Sequence, residues 1–212
     1  LPSYIKSIGL KAFNGVYPLT KITIPSSVTT IGDYAFYRCG SLKEITFEIP
    51  SSVSIIGEHA FEECSSLIRI SLPSSVKSIG KEAFRKCSSL KQVFIPSSVT
   101  SVGSMAFYCC SSLIDISLSS SLDSIESYQF SDCSRLVKIS IPLSVKSIKN
   151  SSFNHCSSLK QVIFEKHSFV SIHKESFLSC ESLTHIVNPP SEKTSVDNIL
   201  YGCSSLIGIP IK

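Results

Sequence analysis

Nine cysteines, five histidines and 46 serines in 212 residues are the groups with which this chain could do chemistry. Eight of the cysteines recur at near-constant spacing, namely Cys39, Cys64, Cys87, Cys110, Cys133, Cys156, Cys180 and Cys203. Such a ladder could bind zinc, close disulfides or fill space. Zinc needs ligands that converge tetrahedrally, which single thiols on successive copies, all pointing the same way, do not supply. Disulfides between neighbouring copies come closer to the required geometry. A small buried hydrophobe is the simplest use, because Val16 holds the same place in the first copy. The ladder is therefore expected to consist of buried free thiols. Cys109 departs from it, standing where other copies have Arg38, Glu63, Lys86, Asp132 or His155, and is expected to be an exposed, reactive thiol.

The other reactive groups form no constellation. His59, His155, His167, His173 and His185 fall at different offsets, and no HExxH, GxSxG or CxxC motif accompanies them. Glu62, Glu63 and Asp132 occupy positions that other copies fill with Lys, Tyr or Ser, so they read as solvated surface. Gly9, Gly32, Gly57, Gly80 and Gly103 mark a recurring turn, not a phosphate loop. No catalytic residue, metal ligand or cofactor is assigned, and an enzyme is not expected. A net charge of +4 dispersed over 20 basic and 16 acidic residues argues against nucleic acid as a partner. No apolar run approaches the 18 or so residues of a membrane span, so no membrane insertion is expected in this segment.

The elements that position these groups repeat. Aligned on Phe13, Phe36, Phe61, Phe84, Phe107, Phe130, Phe153, Phe177 and Leu200, the chain has spacings of 23, 25, 23, 23, 23, 23, 24 and 23 residues. A Leu follows six residues after each anchor and an Ile or Val nine after it. In the unit from Gly80 to Gly103, Ile79, Ala83, Phe84 and Cys87 fall at i, i+4, i+5 and i+8, which predicts a short helix of about two turns. Val93 and Ile95 alternate with outward neighbours as in a strand that Pro96 ends. Val99 and Val102 line a return segment. A 23-residue unit cannot close a core alone, but stacked copies bury one another's apolar faces. The expected fold is an α/β solenoid of about nine coils. The extra residues near Glu48 and Ile49, and near Lys166 to Ser168, are expected to bulge at strand exits.

The segments IPSSVTTIGDYAFYRCGSLKEITF and LPSSVKSIGKEAFRKCSSLKQVFI closely resemble the BspA-like leucine-rich repeats, and the pattern extends from Leu1 to about Ile186. The resemblance implies a leucine-rich-repeat superhelix with a parallel concave sheet. It also implies an extracellular or cell-surface protein of a parasitic protist or host-associated bacterium, of adhesin or receptor type, whose partner is a host-cell or extracellular-matrix protein. Residues 1–212 are read as one array, truncated at its N-terminal side, with 187–212 as an atypical polar capping unit. The uncapped first coil offers a surface for end-to-end self-association.

The outward side of the sheet is the expected working face. Phe94 and Ile163 are apolar in rows whose entries are mostly small and polar. With Arg69, Lys91, Gln92 and Lys138 they make the candidate partner-binding set. Asn150, in the sequence Asn150-Ser151-Ser152, is a candidate glycosylation site. The competing class is an intracellular leucine-rich-repeat scaffold, favoured by the free thiols of a reducing compartment.

Overall fold

The computed structural model describes residues 1–190, 200 and 202–205. Among these residues sixteen strands alternate between two and three or four residues. The first eight are β1 (Ser7–Ile8), β2 (Lys21–Ile24), β3 (Thr30–Ile31), β4 (Glu44–Phe47), β5 (Ile55–Ile56), β6 (Arg69–Ser71), β7 (Ser78–Ile79) and β8 (Gln92–Phe94). They continue as β9 (Ser101–Val102), β10 (Asp115–Ser117), β11 (Ser124–Ile125), β12 (Lys138–Ile141), β13 (Ser147–Ile148), β14 (Gln161–Phe164), β15 (Ser171–Ile172) and β16 (His185–Val187). All pairings are parallel, each strand with its equivalent one unit away, so Ile22, Ile45, Ile70, Val93 and Ile116 lie in one register. The result is a parallel-strand β-solenoid of about eight turns, not nine. The ninth expected unit and the proposed cap at 187–212 fall mostly outside the described residues.

The anchors form the axis of the core. Phe36 to Phe153 are fully buried, and from Phe13 to Phe177 successive rings stack with centroids 5.0–5.5 Å apart and planes within 15°. Each buried ring contributes about 1.5–3 kcal/mol by desolvation, and stacking adds about 0.5–1.5 kcal/mol per pair. The cysteines stand beside this column as free, mostly buried thiols, as expected. They do more than fill space. Each Sγ donates to the carbonyl of the preceding anchor, as from Cys64 to Phe36 at 3.1 Å, Cys87 to Phe61 at 3.2 Å and Cys110 to Phe84 at 3.2 Å. Burial pushes the thiols of Cys87, Cys110 and Cys133 well above their ordinary pKa, which keeps them protonated and able to donate.

The expected short helix is absent: among the described residues there is no helix at all. The segment around each anchor is a run of turns in which backbone donors alternate between two kinds of acceptor. Ala35, Tyr37 and Cys39 donate three residues back, to Gly32, Tyr34 and Phe36. Tyr34, Phe36 and Arg38 donate instead to Glu58, Ala60 and Glu62 of the next coil. A helix would use all of these groups within its own turn. Reaching the next coil requires positive φ two residues before and two after the anchor, as at Tyr34 (55°) and Arg38 (57°) or Glu82 (55°) and Lys86 (56°). Three such bonds cross each interface from the Phe13 coil to the Phe177 coil, and all run the same way, from N–H to the C=O of the following coil. This turn wall is the third side of the solenoid.

Both sheets break at one interface, between the coils of Phe107 and Phe130, where β9 does not pair with β11 nor β10 with β12. Before this seam a glycine occupies the corner leading into the turn wall. A Cβ on Gly80 would lie 2.6 Å from the backbone of Gly57 and Glu58, and one on Gly103 would lie 2.4 Å from Lys81 N. After the seam the corner carries Glu126, Lys149 and His173, and the small Ala before the anchor becomes Gln129, Ser152 or Ser176. There the buried hydroxyls of Ser152 and Ser176 cross to the corner carbonyls of Glu126 and Lys149, both at 3.1 Å. Each half is consistent with itself, but a side-chain corner does not seat on a glycine corner. The Gly103 N–H reaches back to Ile79 O, whereas the Glu126 N–H turns to Gln129 Oε1 at 2.7 Å. A cleft of about 550 Å³ opens at this point between Thr100–Ser104 and Leu122–Ser124.

The two insertions bulge as expected. Ile49 is 93% exposed while Phe47 stays buried, and Lys166 and His167 are exposed while Phe164 stays buried. From the seam a stability test follows. Gly80→Ala should lower stability by about 1–3 kcal/mol, since its Cβ meets backbone that cannot step aside. Lys149→Ala, at the equivalent corner after the seam, should cost less than about 1 kcal/mol, chiefly an exposed ion pair with Glu126. Urea denaturation of the two variants checks the contrast.

Candidate protein-binding face

The outward row of the long strands places the predicted residues on one side of the solenoid, in two groups. Arg69 on β6 and Gln92 and Phe94 on β8 belong to the first sheet, with Arg69 opposite Gln92 and Ser71 opposite Phe94. Lys91 is exposed just ahead of β8, its N–H held by Ile68 O at 3.0 Å. Phe94 is 62% exposed between Ser71 and Ser117. Lys138 on β12 and Ile163 on β14 belong to the second sheet, beyond the seam. Ile163 differs from the expectation of an exposed anchor: flanked by Ser140 and Val187, it is half-buried. Three strand steps, about 14 Å, separate it from Phe94, so the two do not make one patch.

Two features beside Phe94 escaped the sequence reading. Seven residues after the anchor, Ile68, Ile114 and Val137 are exposed apolar side chains alongside Lys91. Reading that offset as a column would have exposed them, as reading offsets eight and ten exposed Phe94. At the strand exits the first insertion shapes a cleft of about 680 Å³, walled by Phe47, Ile49, Pro50, Leu72 and Pro73, with Glu44 and Arg69 at its edge. Charges across the sheet are mixed, Lys21 pairing with Glu44 at 3.1 Å. The face combines exposed apolar side chains with polar neighbours of both signs.

The turn wall carries a second set of charges. Glu63 lies between Lys86 at 2.9 Å and Arg38 at 2.9 Å. The Lys86 ammonium foremost, with Arg38 beside it, holds the Glu63 carboxyl below its ordinary pKa. Cys109, expected to be an exposed, reactive thiol, is instead half-buried at the next positive-φ position of this row. Its pKa is raised, mainly by burial, and the adjacent Tyr108 phenol is pushed up to about 12 by the same cause. Glu62, expected on solvated surface, is instead buried beside His59 and Arg85. Asn150 is exposed, as a glycosylation site requires, and its partner Ser152 is buried.

A parallel solenoid with this repeat, whose core is a ladder of Phe, Leu, Ile and Cys, is a leucine-rich-repeat scaffold. A family model described as BspA type leucine rich repeat region, in six copies, matches residues 1–113 and 100–212. The chain belongs to that family. A leucine-rich repeat protein of Treponema, solved as T. pallidum TpLRR, is 34% identical with a TM-score of 0.74 over 84% of this chain and 82% of that one. One from Bacteroides ovatus is 30% identical with a TM-score of 0.66 over 95% of this chain. A leucine rich cell surface protein from Faecalibacterium prausnitzii is 25% identical with a TM-score of 0.58 over 92% of this chain. The chain spans 63% of the Bacteroides protein and 65% of the Faecalibacterium protein. No curated protein matches it.

The thiols provide a direct check on this geometry. Cys109 was expected to stand alone as the accessible thiol, but Cys203 is also only partly buried, so the contrast is two against seven. Under native conditions a maleimide should label Cys109 and Cys203 ahead of the other seven, which stay protected until unfolding, with Cys109 slowed by its raised pKa. Mass spectrometry of peptides after timed labelling would read this. Rapid labelling of Cys87 or Cys133 would contradict their burial.

Proposed function

We propose that the chain, acting as one repeat array over residues 1–212, is a non-catalytic protein-binding module. It works at the cell surface or after secretion and engages a host-cell or extracellular-matrix protein through the outer face of its long-strand sheet. Phe94 carries this reading. A Phe that is 62% exposed on an interior strand of a five-stranded sheet leaves apolar area in water that a partner could cover, worth about 1.5–3 kcal/mol for complete burial. Arg69 and Gln92 next to it, the apolar Ile68 and Ile114, and the cleft at Ile49 supply the mixed surroundings of a binding centre. Lys138 and Ile163 lie on the second sheet, beyond the seam and outside this centre. Support for exposure outside the cell comes from the Faecalibacterium relative, described as a cell surface protein.

Phe94→Ser should weaken binding of a partner captured by the intact chain at least fivefold, about 1 kcal/mol. Its melting temperature should hardly move, since an exposed substitution changes stability by less than about 0.5 kcal/mol. Biolayer interferometry and a thermal melt on the same preparation check both. Unchanged affinity with an unchanged melt would place the contact elsewhere on the solenoid.

A further inference from the structure

We propose that His59, Glu62 and Glu82, on the turn wall away from the long-strand face, form a binding site for a divalent transition-metal ion of the zinc class. His59 and Glu62 come from one coil and Glu82 from the next, and one ligand atom of each lies within 4.8 Å of the other two. Both carboxylates are almost fully buried, Glu62 at 3% exposure and Glu82 at 8%.

Arg85 and Lys81 balance the two carboxylates in charge, but the Glu82 carboxylate accepts no hydrogen bond. Glu62 is served on both oxygens: Arg85 Nη1 donates to Oε1 at 2.6 Å, and His59 Nδ1 meets Oε2 at 2.5 Å. That nitrogen carries at most one proton, and it is engaged with Glu62. Glu82 is left with ion-pair approaches only, its Oε2 lying 3.7 Å from His59 Nδ1 and 3.3 Å from Arg85 Nη1, its Oε1 3.4 Å from Lys81 Nζ. Its side chain is nine-tenths buried and aimed at the same nitrogen as Glu62. Arg85 Nε is buried without a hydrogen-bond partner. Two carboxylate oxygens thus converge on one imidazole nitrogen where a single proton can satisfy only one of them.

A divalent ion replacing that proton would bind Nδ1 and both Oε2 atoms, with Glu62 Oε2 backing away from its 2.5 Å contact to admit metal bonds of about 2.0–2.2 Å. One nitrogen and two carboxylate oxygens suit Zn²⁺ and its neighbours, with the remaining coordination position left to water. The supporting contacts are in place. Arg85 holds the second oxygen of Glu62, and the Tyr34 ring, stacked on the imidazole at 4.4 Å and within 10°, fixes its plane.

The test uses the whole chain, stripped with EDTA and titrated with ZnCl₂ and CoCl₂ near neutral pH. Isothermal titration should show one ion bound per chain, with a rise in melting temperature. The cobalt form should show d–d absorption without a thiolate charge-transfer band. Glu82→Gln, which keeps the shape of the side chain, should weaken binding at least about tenfold, read against the variant's own metal-free melting temperature, and His59→Ala should do the same to binding. Absence of a heat signal with either ion would overturn the proposal, as would undiminished binding by Glu82→Gln. A thiolate band that disappears in Cys109→Ser would also overturn it, by placing the ion on the cysteine.

Discussion

Everything in this solenoid rests on how each coil disposes of its backbone N–H groups. Nearly every donor on the turn wall reaches either a carbonyl three residues back or one on the next coil, and the two uses alternate from the Phe13 coil to the Phe153 coil with a gap at Ala60. That alternation holds successive coils in register, which stacks the anchor rings and brings each thiol onto the carbonyl of the anchor before it. The apolar columns supply most of the free energy, but the hydrogen-bond pattern decides which residues can form a column. An unpaired buried amide costs about 1–3 kcal/mol, so a slip of one residue would forfeit far more than a single contact.

This explains which parts of the molecule were legible in the sequence. The period, the Phe column, the inward-facing strand residues and the buried thiols were readable because burial demands the same residue type at the same offset in every unit. The turn wall was misread as helix because Ile79, Ala83, Phe84 and Cys87 present an apolar pattern that a run of turns also satisfies. Its marker, positive φ two residues to either side of the anchor, is borne by residues as different as Tyr34, Glu82, Met105 and Cys109. Glycine signals it at Gly15 and Gly202 alone. Polar side chains tolerate this conformation at a modest cost, which leaves no mark in the composition.

Binding surfaces were less legible because they are exceptions to the repeat. Phe94 could be picked out as an aromatic in a polar row. Ile163 looked equivalent, but it is half-buried, and the next entry of its own column is the apolar Val187, paired beside it. The cluster of His59, Glu62, Glu82 and Arg85 was missed for a different reason. Its members stand at two different offsets in two consecutive units, and only the stacking of coils brings the offsets together.

The one-way bonds of the turn wall have an electrical consequence. In the β walls peptide groups alternate in sense and their dipoles largely cancel. On the turn wall three N–H groups per coil point toward the C-terminal end and the matching carbonyls toward the N-terminal end, across seven consecutive interfaces that include the seam. The rod therefore carries an axial macrodipole on one flank, built on the same principle as that of an α-helix. Because the chain here winds around the axis instead of along it, the sign is reversed: partial positive charge gathers at the C-terminal end and partial negative charge at the N-terminal end. One flank of an otherwise mildly basic protein is thus polarised from end to end, favouring anions beyond its last coil and cations before its first.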